Sequence, residues 1–218
     1  MTDSLKLYGA PFSPYVRAVR LYAAELGIEL ESSMAPFGEK IEFKSPQHLA
    51  LNPFGQMPVL FDGDFHLFET ASICRYLNGV AGKANAEPQQ QALIDQWAGA
   101  VASNASRAVM EGLLLELAFP KGENGKPRLD VVVENLPKAR AFLAIIEQQL
   151  QAQQGKEQGG LATADYSYAD SILTPFIDYA ASVPDLDGNG KLVSDDSATG
   201  QWLHAMRQRS SAWVLTQK

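Results

Sequence analysis

The 218-residue chain has a single cysteine, Cys74. It can close no internal disulfide, and CxxC redox chemistry is excluded. Cys74 lies within a helically spaced apolar run and reads as a small buried side chain. No apolar stretch approaches the roughly 18 residues that a membrane-spanning helix needs. No basic segment followed by an apolar core opens the chain, so no signal peptide is expected and a cytoplasmic location is the default. Positive charge is in deficit: 18 Lys and Arg against 25 Asp and Glu, a net charge of −7. A nucleic-acid groove or an anionic membrane surface is therefore not an expected partner, although a local basic pocket for a small anion remains open. His48, His66 and His204 share no metal-ligand spacing, so no metal is expected. There is no G-x-S-x-G nucleophile elbow and no internal repeat of about 20–50 residues.

What is present fits a soluble globular protein with a real core, at 46% hydrophobic and 20% charged residues. The most informative stretch is Asn52 to Tyr76, NPFGQMPVLFDGDFHLFETASICRY. Asn52, Pro53 and Gly55 are turn residues. Met57 to Phe61 and Phe65 to Phe68 are short apolar runs joined by Asp62-Gly63, a strong hairpin signal. Pro58 stands at the entry to the first run, where a missing N–H is tolerated. A cis Met57-Pro58 bond would leave the Met57 N–H and C=O outside the ladder and aimed outward. Glu69 and Thr70 fall at a helix start, where a hydroxyl and free N–H groups suit a carboxylate and Glu69 suits an ammonium. A carboxylate beside an ammonium is the head group of an α-amino acid. The same residues also suit a plain Thr cap and an ordinary edge strand.

Upstream, Leu5 to Tyr8 reads as a strand. Ser13-Pro14 is a helix start, serine at the N-cap and proline at N1. Val16, Val19, Leu21, Ala23 and Leu26 give that helix an apolar face, and Gly27 ends it. Ile28 to Met34 is a second strand, and Lys44 to Leu51 a short helix or turn. Gly79 to Pro88 reads as a linker, after which the strand signal disappears. Leu93, Trp97 and Val101 open a long helix expected to run through Leu117 to Pro120. Val132, Leu136, Ala139, Leu143, Ile146 and Leu150 define another, with Pro137 in its first turn or kinking it. Gln151 to Gly160 is a polar loop. Ser167 and Asp170 form a capping box, worth about 1 kcal/mol of stability rather than chemistry. A last helix covers about 201–209. The order βαβ then ββα suits a small mixed sheet.

The segment KSPQHLALNPFGQMPVLFDGDFHLFETASICRYL resembles the glutathione-binding half of a cytosolic glutathione transferase, of the serine-type, phi-like branch. The resemblance is dense over about residues 5–80 and thinner beyond. It implies an α/β thioredoxin-like N-terminal domain (1–80), a linker (81–88) and an all-α C-terminal helical domain (89–218) that contributes the electrophile site. It implies glutathione as co-substrate, a small apolar electrophile as partner, and a homodimer. Residue by residue, it places Ser13 at the catalytic position. Lys44 would hold the glycyl carboxylate, Gln56 and Met57 before Pro58 the cysteinyl part, and Glu69 and Thr70 the γ-glutamyl end. Phe12, Tyr15, Phe37, Met110, Leu114 and Phe119 are expected to line the apolar half. The sequence departs twice from the branch: Phe43 stands where a histidine is common before the lysine, and Glu-Thr replaces Glu-Ser, which keeps the hydroxyl.

Ser13 opens a helix beside the positive end of its dipole. A thiolate there gains an O–H donor, so Ser13 keeps its proton and the bound sulfur is the nucleophile. Tyr15 and Tyr8 are competitors for the role, with Tyr8 reading as a strand residue. Alternatives of other classes are a non-enzymatic binding or regulatory module, and a glutathione-dependent peroxidase or thiol reductase, the last disfavoured by serine in place of cysteine. Asp185 to Asp196 matches the first half of an EF-hand loop but carries Asp196 where the bidentate glutamate belongs, so a glycine-rich surface turn is expected.

Overall fold

The computed structural model describes residues 5–83, 87–155 and 159–217. Residues 84–86 of the expected linker and 156–158 of the expected polar loop lie outside them. The α/β part comes first. Its elements are β1 (Leu5–Tyr8), α1 (Pro14–Leu26), β2 (Leu30–Ser33), α2 (Pro46–Leu51), β3 (Val59–Asp62), β4 (Phe65–Phe68) and α3 (Thr70–Val80). The sheet order is β2-β1-β3-β4, with β2 parallel to β1 and the other neighbours antiparallel. This is the thioredoxin-like arrangement. The β3–β4 turn sits at Asp62-Gly63, where Gly63 takes a left-handed φ of 54° that a side chain would resist.

Alternation along the strands sorts side chains onto two faces. Leu5, Leu7 and Leu60 point into the main core with Val16, Val19, Ile73 and Leu77 of α1 and α3. Tyr8, Val59 and Phe61 face the other way and are closed off by Ile41.

The helical part contains α4 (Pro88–Ala105), a wide-turned segment Ser106–Leu114, α5 (Leu115–Ala118), α6 (Leu129–Gln153), α7 (Tyr168–Ala181), α8 (Ala198–Arg207) and α9 (Trp213–Thr216). The expected single helix through Leu117 is interrupted. Glu111 (φ −72°, ψ 128°) and Gly112 (φ 71°) leave helical geometry, and a Cβ on Gly112 would lie 2.4 Å from the Asn135 side chain. Glycine is thus required there twice over, by conformation and by close packing. Pro137 falls in the interior of α6, not its first turn. Asp170 is fully buried and accepts from the Ser167 N–H and hydroxyl and from the Leu161 N–H at 2.7 Å. Burial holds its carboxyl above the usual range against these bonds.

The two parts share one apolar core: α1 and α3 pack on α7, and the cluster runs from Val16 and Leu77 to Ala98, Val101, Ile172 and Phe176. A polar tie reinforces it. Arg209, after α8, donates through Nε (2.9 Å) and Nη2 (2.7 Å) to the Glu25 carboxylate on α1, which also accepts from the Ser211 hydroxyl. Among the described residues no helix is long and apolar enough to cross a membrane.

Candidate functional site

Three segments meet where β1 ends. The first is the loop from Gly9 to Ser13. A Cβ on Gly9 would sit 2.3 Å from Val16 Cγ2 and 3.5 Å from Met57 Cβ, so the loop passes tightly between α1 and the second segment. Ser13 is half-buried at the N-cap position of α1, with Pro14 at N1. Its hydroxyl makes no cap hydrogen bond. The expected position is met, but the side chain is not spent on the helix, and it stands beside N–H groups that no helical carbonyl reaches.

The second segment is Gln56-Met57-Pro58. The Met57–Pro58 bond is cis. The β1–β3 and β3–β4 ladders begin at Val59, leaving Met57 outside them. Met57 is half-buried, and its sulfur accepts the Ala10 N–H at 3.2 Å, which ties this segment to the Ser13 loop. Gln56 is exposed. Its carbonyl is held by Asn52 Nδ2 at 2.9 Å and His48 Nε2 at 3.0 Å.

The third segment is the entry to α3. Glu69 occupies the N-cap with φ 74° and ψ 113°, outside the regions favoured by non-glycine residues. Such a backbone costs roughly 1–3 kcal/mol and persists where surrounding structure demands it, commonly at ligand sites. Its carboxylate is exposed, while Thr70 is buried at the first helical position. Lys44 also has a left-handed backbone, φ 60°. Its ammonium lies 5.5 Å from the centre of the Phe43 ring, the residue standing where the resemblance implied a histidine. Its stem lies over Gly55, whose added Cβ would be 3.3 Å from Lys44 Cγ.

The tyrosines are committed elsewhere. Tyr15 donates to the Ala102 carbonyl of α4 at 2.6 Å and packs edge-on against Phe176. Burial raises its pKa, opposed by the Ser106 hydroxyl and reinforced by the Glu69 and Glu111 carboxylates. The phenol expected in the apolar half thus also pins α1 to the helical part. Tyr8 is buried with its hydroxyl on the Ile41 carbonyl at 3.2 Å.

Of the residues expected in the apolar half, Phe12 and Phe119 come together, ring centroids 5.5 Å apart and each about half exposed. Met110 and Leu114 belong to the helical core beneath. Phe37 stands apart: its ring lies edge-on to Phe61 and 5.2 Å from the Lys6 ammonium, toward the opposite end of β1. Cys74 is fully buried, and burial pushes its thiol far up.

The Asp185 loop is a self-satisfied turn. Asp185 accepts from the N–H groups of Asp187, Gly188 and Gly190. Asp187 accepts from the Asn189 N–H and from Arg140 at 2.8 Å. Among the described residues no group of three or more His, Cys, Asp or Glu could hold a metal ion.

The residue that sequence reasoning passed over is His48. Its ring links the Lys44 main chain to the Gln56 carbonyl. The only sequence signal was its position midway between two segments the resemblance had marked.

Comparison with known proteins bears on the family and the fold. A family model described as glutathione S-transferase, N-terminal domain, matches residues 3–79. The chain is 32% identical over 184 residues to glutathione S-transferase 1 of Zea mays, covering 83% of this chain and 85% of that protein. The crystal structure of glutathione transferase F2 from Populus trichocarpa superposes with a TM-score of 0.77 at 27% identity over 97% of both chains. A glutathione S-transferase-I solved with lactoylglutathione superposes at 0.76 with 28% identity, covering 98% of this chain and 99% of that one.

Proposed function

The chain belongs to the glutathione S-transferase family, on its phi-like branch, and from that premise we propose that it conjugates the glutathione thiolate to small apolar electrophiles, with Ser13 as the thiol-activating residue. The observation that carries this reading is the Ser13 hydroxyl, which opens α1 without serving as its cap.

Glutathione would lie along the three segments. Thr70 and the first N–H groups of α3 suit the γ-glutamyl carboxylate, and the exposed Glu69 carboxylate suits its ammonium. Gln56 and the Met57 main chain, free of the β ladder, suit the cysteinyl unit. Lys44 suits the glycyl carboxylate. The lactoylglutathione bound by a relative of the same fold supports this class of ligand.

The thiol then points toward Ser13. A free thiol has a pKa of roughly 8.5, and lowering it by about 2 units takes about 2.7 kcal/mol of thiolate stabilisation. One charge-assisted hydrogen bond contributes about 1.5–3 kcal/mol, and the α1 dipole about 0.3–1 kcal/mol. Together they suffice without Ser13 losing its proton. The thiol proton leaves to solvent and the sulfur attacks the electrophilic carbon. A leaving group such as halide departs, or an epoxide ring opens. Phe12 and Phe119 offer the electrophile a half-exposed aromatic surface.

This reading includes two domains, 1–80 and 89–218, joined by 81–88, and a cytoplasmic homodimer acting in detoxification. Exposed Phe54 and Phe65 are apolar surface that a second copy could cover. The direct test is calorimetry of glutathione binding, paired with conjugation assays on an aryl halide, an epoxide and a hydroperoxide. Saturable glutathione binding with turnover of the aryl halide or epoxide is expected. Turnover of the hydroperoxide alone would make the protein a peroxidase instead.

A further inference from the structure

Lys44 and Gln56 are twelve positions apart, yet one side chain joins them. His48 is fully buried on α2. Its Nδ1 accepts the Lys44 N–H at 2.9 Å, and its Nε2 lies 3.0 Å from the Gln56 carbonyl. The two partners fix the tautomer. A backbone N–H can only donate, so Nδ1 is the bare nitrogen; a carbonyl can only accept, so Nε2 carries the proton. The ring is wedged between Tyr8 (centroids 4.9 Å apart) and Phe43 (5.4 Å). Its own N–H is capped by Ser45 Oγ at 3.2 Å, which fixes the start of α2.

The Lys44 backbone is left-handed without being glycine, a conformation disfavoured in the free chain. The bond into Nδ1 is one restraint that holds it. Relaxation of Lys44 would swing its stem off Gly55 and change the separation between the ammonium and the Gln56-Met57 main chain.

We propose that His48 is a positioning residue that sets the spacing between the glycyl and cysteinyl anchors of bound glutathione. The inference rests on the placement of glutathione given above. His48 touches no substrate. It acts through Lys44 on one side and Gln56 on the other, and not through Ser13.

The test compares wild type, His48→Phe and His48→Gln. Phenylalanine keeps the ring contacts and removes both hydrogen bonds; the glutamine amide restores a donor and an acceptor. His48→Phe should raise KM for glutathione about 10–100-fold, the worth of two hydrogen bonds. It should leave kcat at saturating glutathione, and the titration of the bound thiol, at wild-type values. His48→Gln should recover a large part of KM. A folded His48→Phe protein with wild-type KM overturns the proposal, as does a loss confined to kcat. A wild-type protein that does not bind glutathione overturns the site reading as well, which separates the two failures. Nitrogen-15 NMR of the wild-type imidazole tests the same point without a variant. The Nε2–H tautomer is expected, with its proton exchanging more slowly when glutathione is added. The Nδ1–H tautomer, or exchange indifferent to glutathione, would overturn the proposal.

Discussion

Tyr15→Phe separates two accounts of the thiol's activation. Tyr15 stands two residues beyond Ser13 and could in principle supply the hydroxyl. In the structure its hydrogen is spent on the Ala102 carbonyl at 2.6 Å, and its ring is fixed edge-on against Phe176 at 5.1 Å. Replacement by phenylalanine keeps the ring contact and deletes one hydrogen bond in a largely buried setting. The loss is about 0.5–1.5 kcal/mol for the bond, rising toward about 2 kcal/mol if the carbonyl is left dry. For a protein of this size each kcal/mol corresponds to about 2–4 °C, so the melting temperature should fall by about 1–8 °C. The bound thiol's pKa and the kcat for an aryl halide should not change. The assay is thermal unfolding by circular dichroism beside thiolate absorbance and steady-state kinetics. Unchanged stability with a raised thiol pKa would refute the reasoning and move the activating role from Ser13 to Tyr15.

Two further outcomes follow from the same geometry. Glu69→Ala should weaken glutathione binding by about 1.5–3 kcal/mol, the range for a hydrogen bond to a charged group; unchanged affinity by calorimetry would remove Glu69 from the site. Burial pushes the Glu25 carboxyl up, but its bonds from Arg209 and Ser211 outweigh this, and its pKa is lowered on balance. A depressed carboxylate contributes stability that is present above the unfolded value of about 4.3 and lost as pH falls through the folded one. Glu25→Gln should therefore cost roughly 1–3 kcal/mol at neutral pH, with the gap to wild type closing in acid. Chemical denaturation at pH 7 and below pH 4 checks both halves.

Much of the α/β part was legible because its signals are local. Asp62-Gly63 marks a hairpin whatever surrounds it, Pro14 after Ser13 marks a helix start, and the apolar spacing in α1 shows which face is buried. The position of Glu69-Thr70 at a helix start was likewise readable from residue type and order, whereas the sequence showed only what a cis bond before Pro58 would do and the structure supplied the isomer. The misses are tertiary. At the Glu111-Gly112 break a side chain on Gly112 would meet Asn135, which lies on another helix, and that closeness is not written in the local sequence. The bond that occupies the Tyr15 hydroxyl was not readable because its acceptor, Ala102, is 87 positions away. Phe37 was grouped with Phe12 on residue type, yet it packs on Phe61 and Lys6 while Phe12 packs on Phe119. His48 was weighed only for metal-ligand spacing, and its two ring partners are main-chain groups that the sequence does not distinguish from any others. Ser13 was read correctly as an N-cap by position, but that its hydroxyl is not spent on the cap is visible only in the fold.

Titration of the bound thiol tests the role of Ser13 most directly. Ultraviolet absorbance of the glutathione thiolate should be followed against pH in wild type and in Ser13→Ala, each saturated with glutathione. Because the Ser13 hydroxyl caps no helix, the substitution should leave the melting temperature and glutathione affinity nearly intact. The bound thiol's pKa should rise by about 1–2 units, the worth of one charge-assisted hydrogen bond. Conjugation at neutral pH should fall by about 10–100-fold and recover partly as pH rises. Superimposable titrations of the two proteins would contradict the account and leave Tyr15, Tyr8 or a backbone N–H to carry the activation.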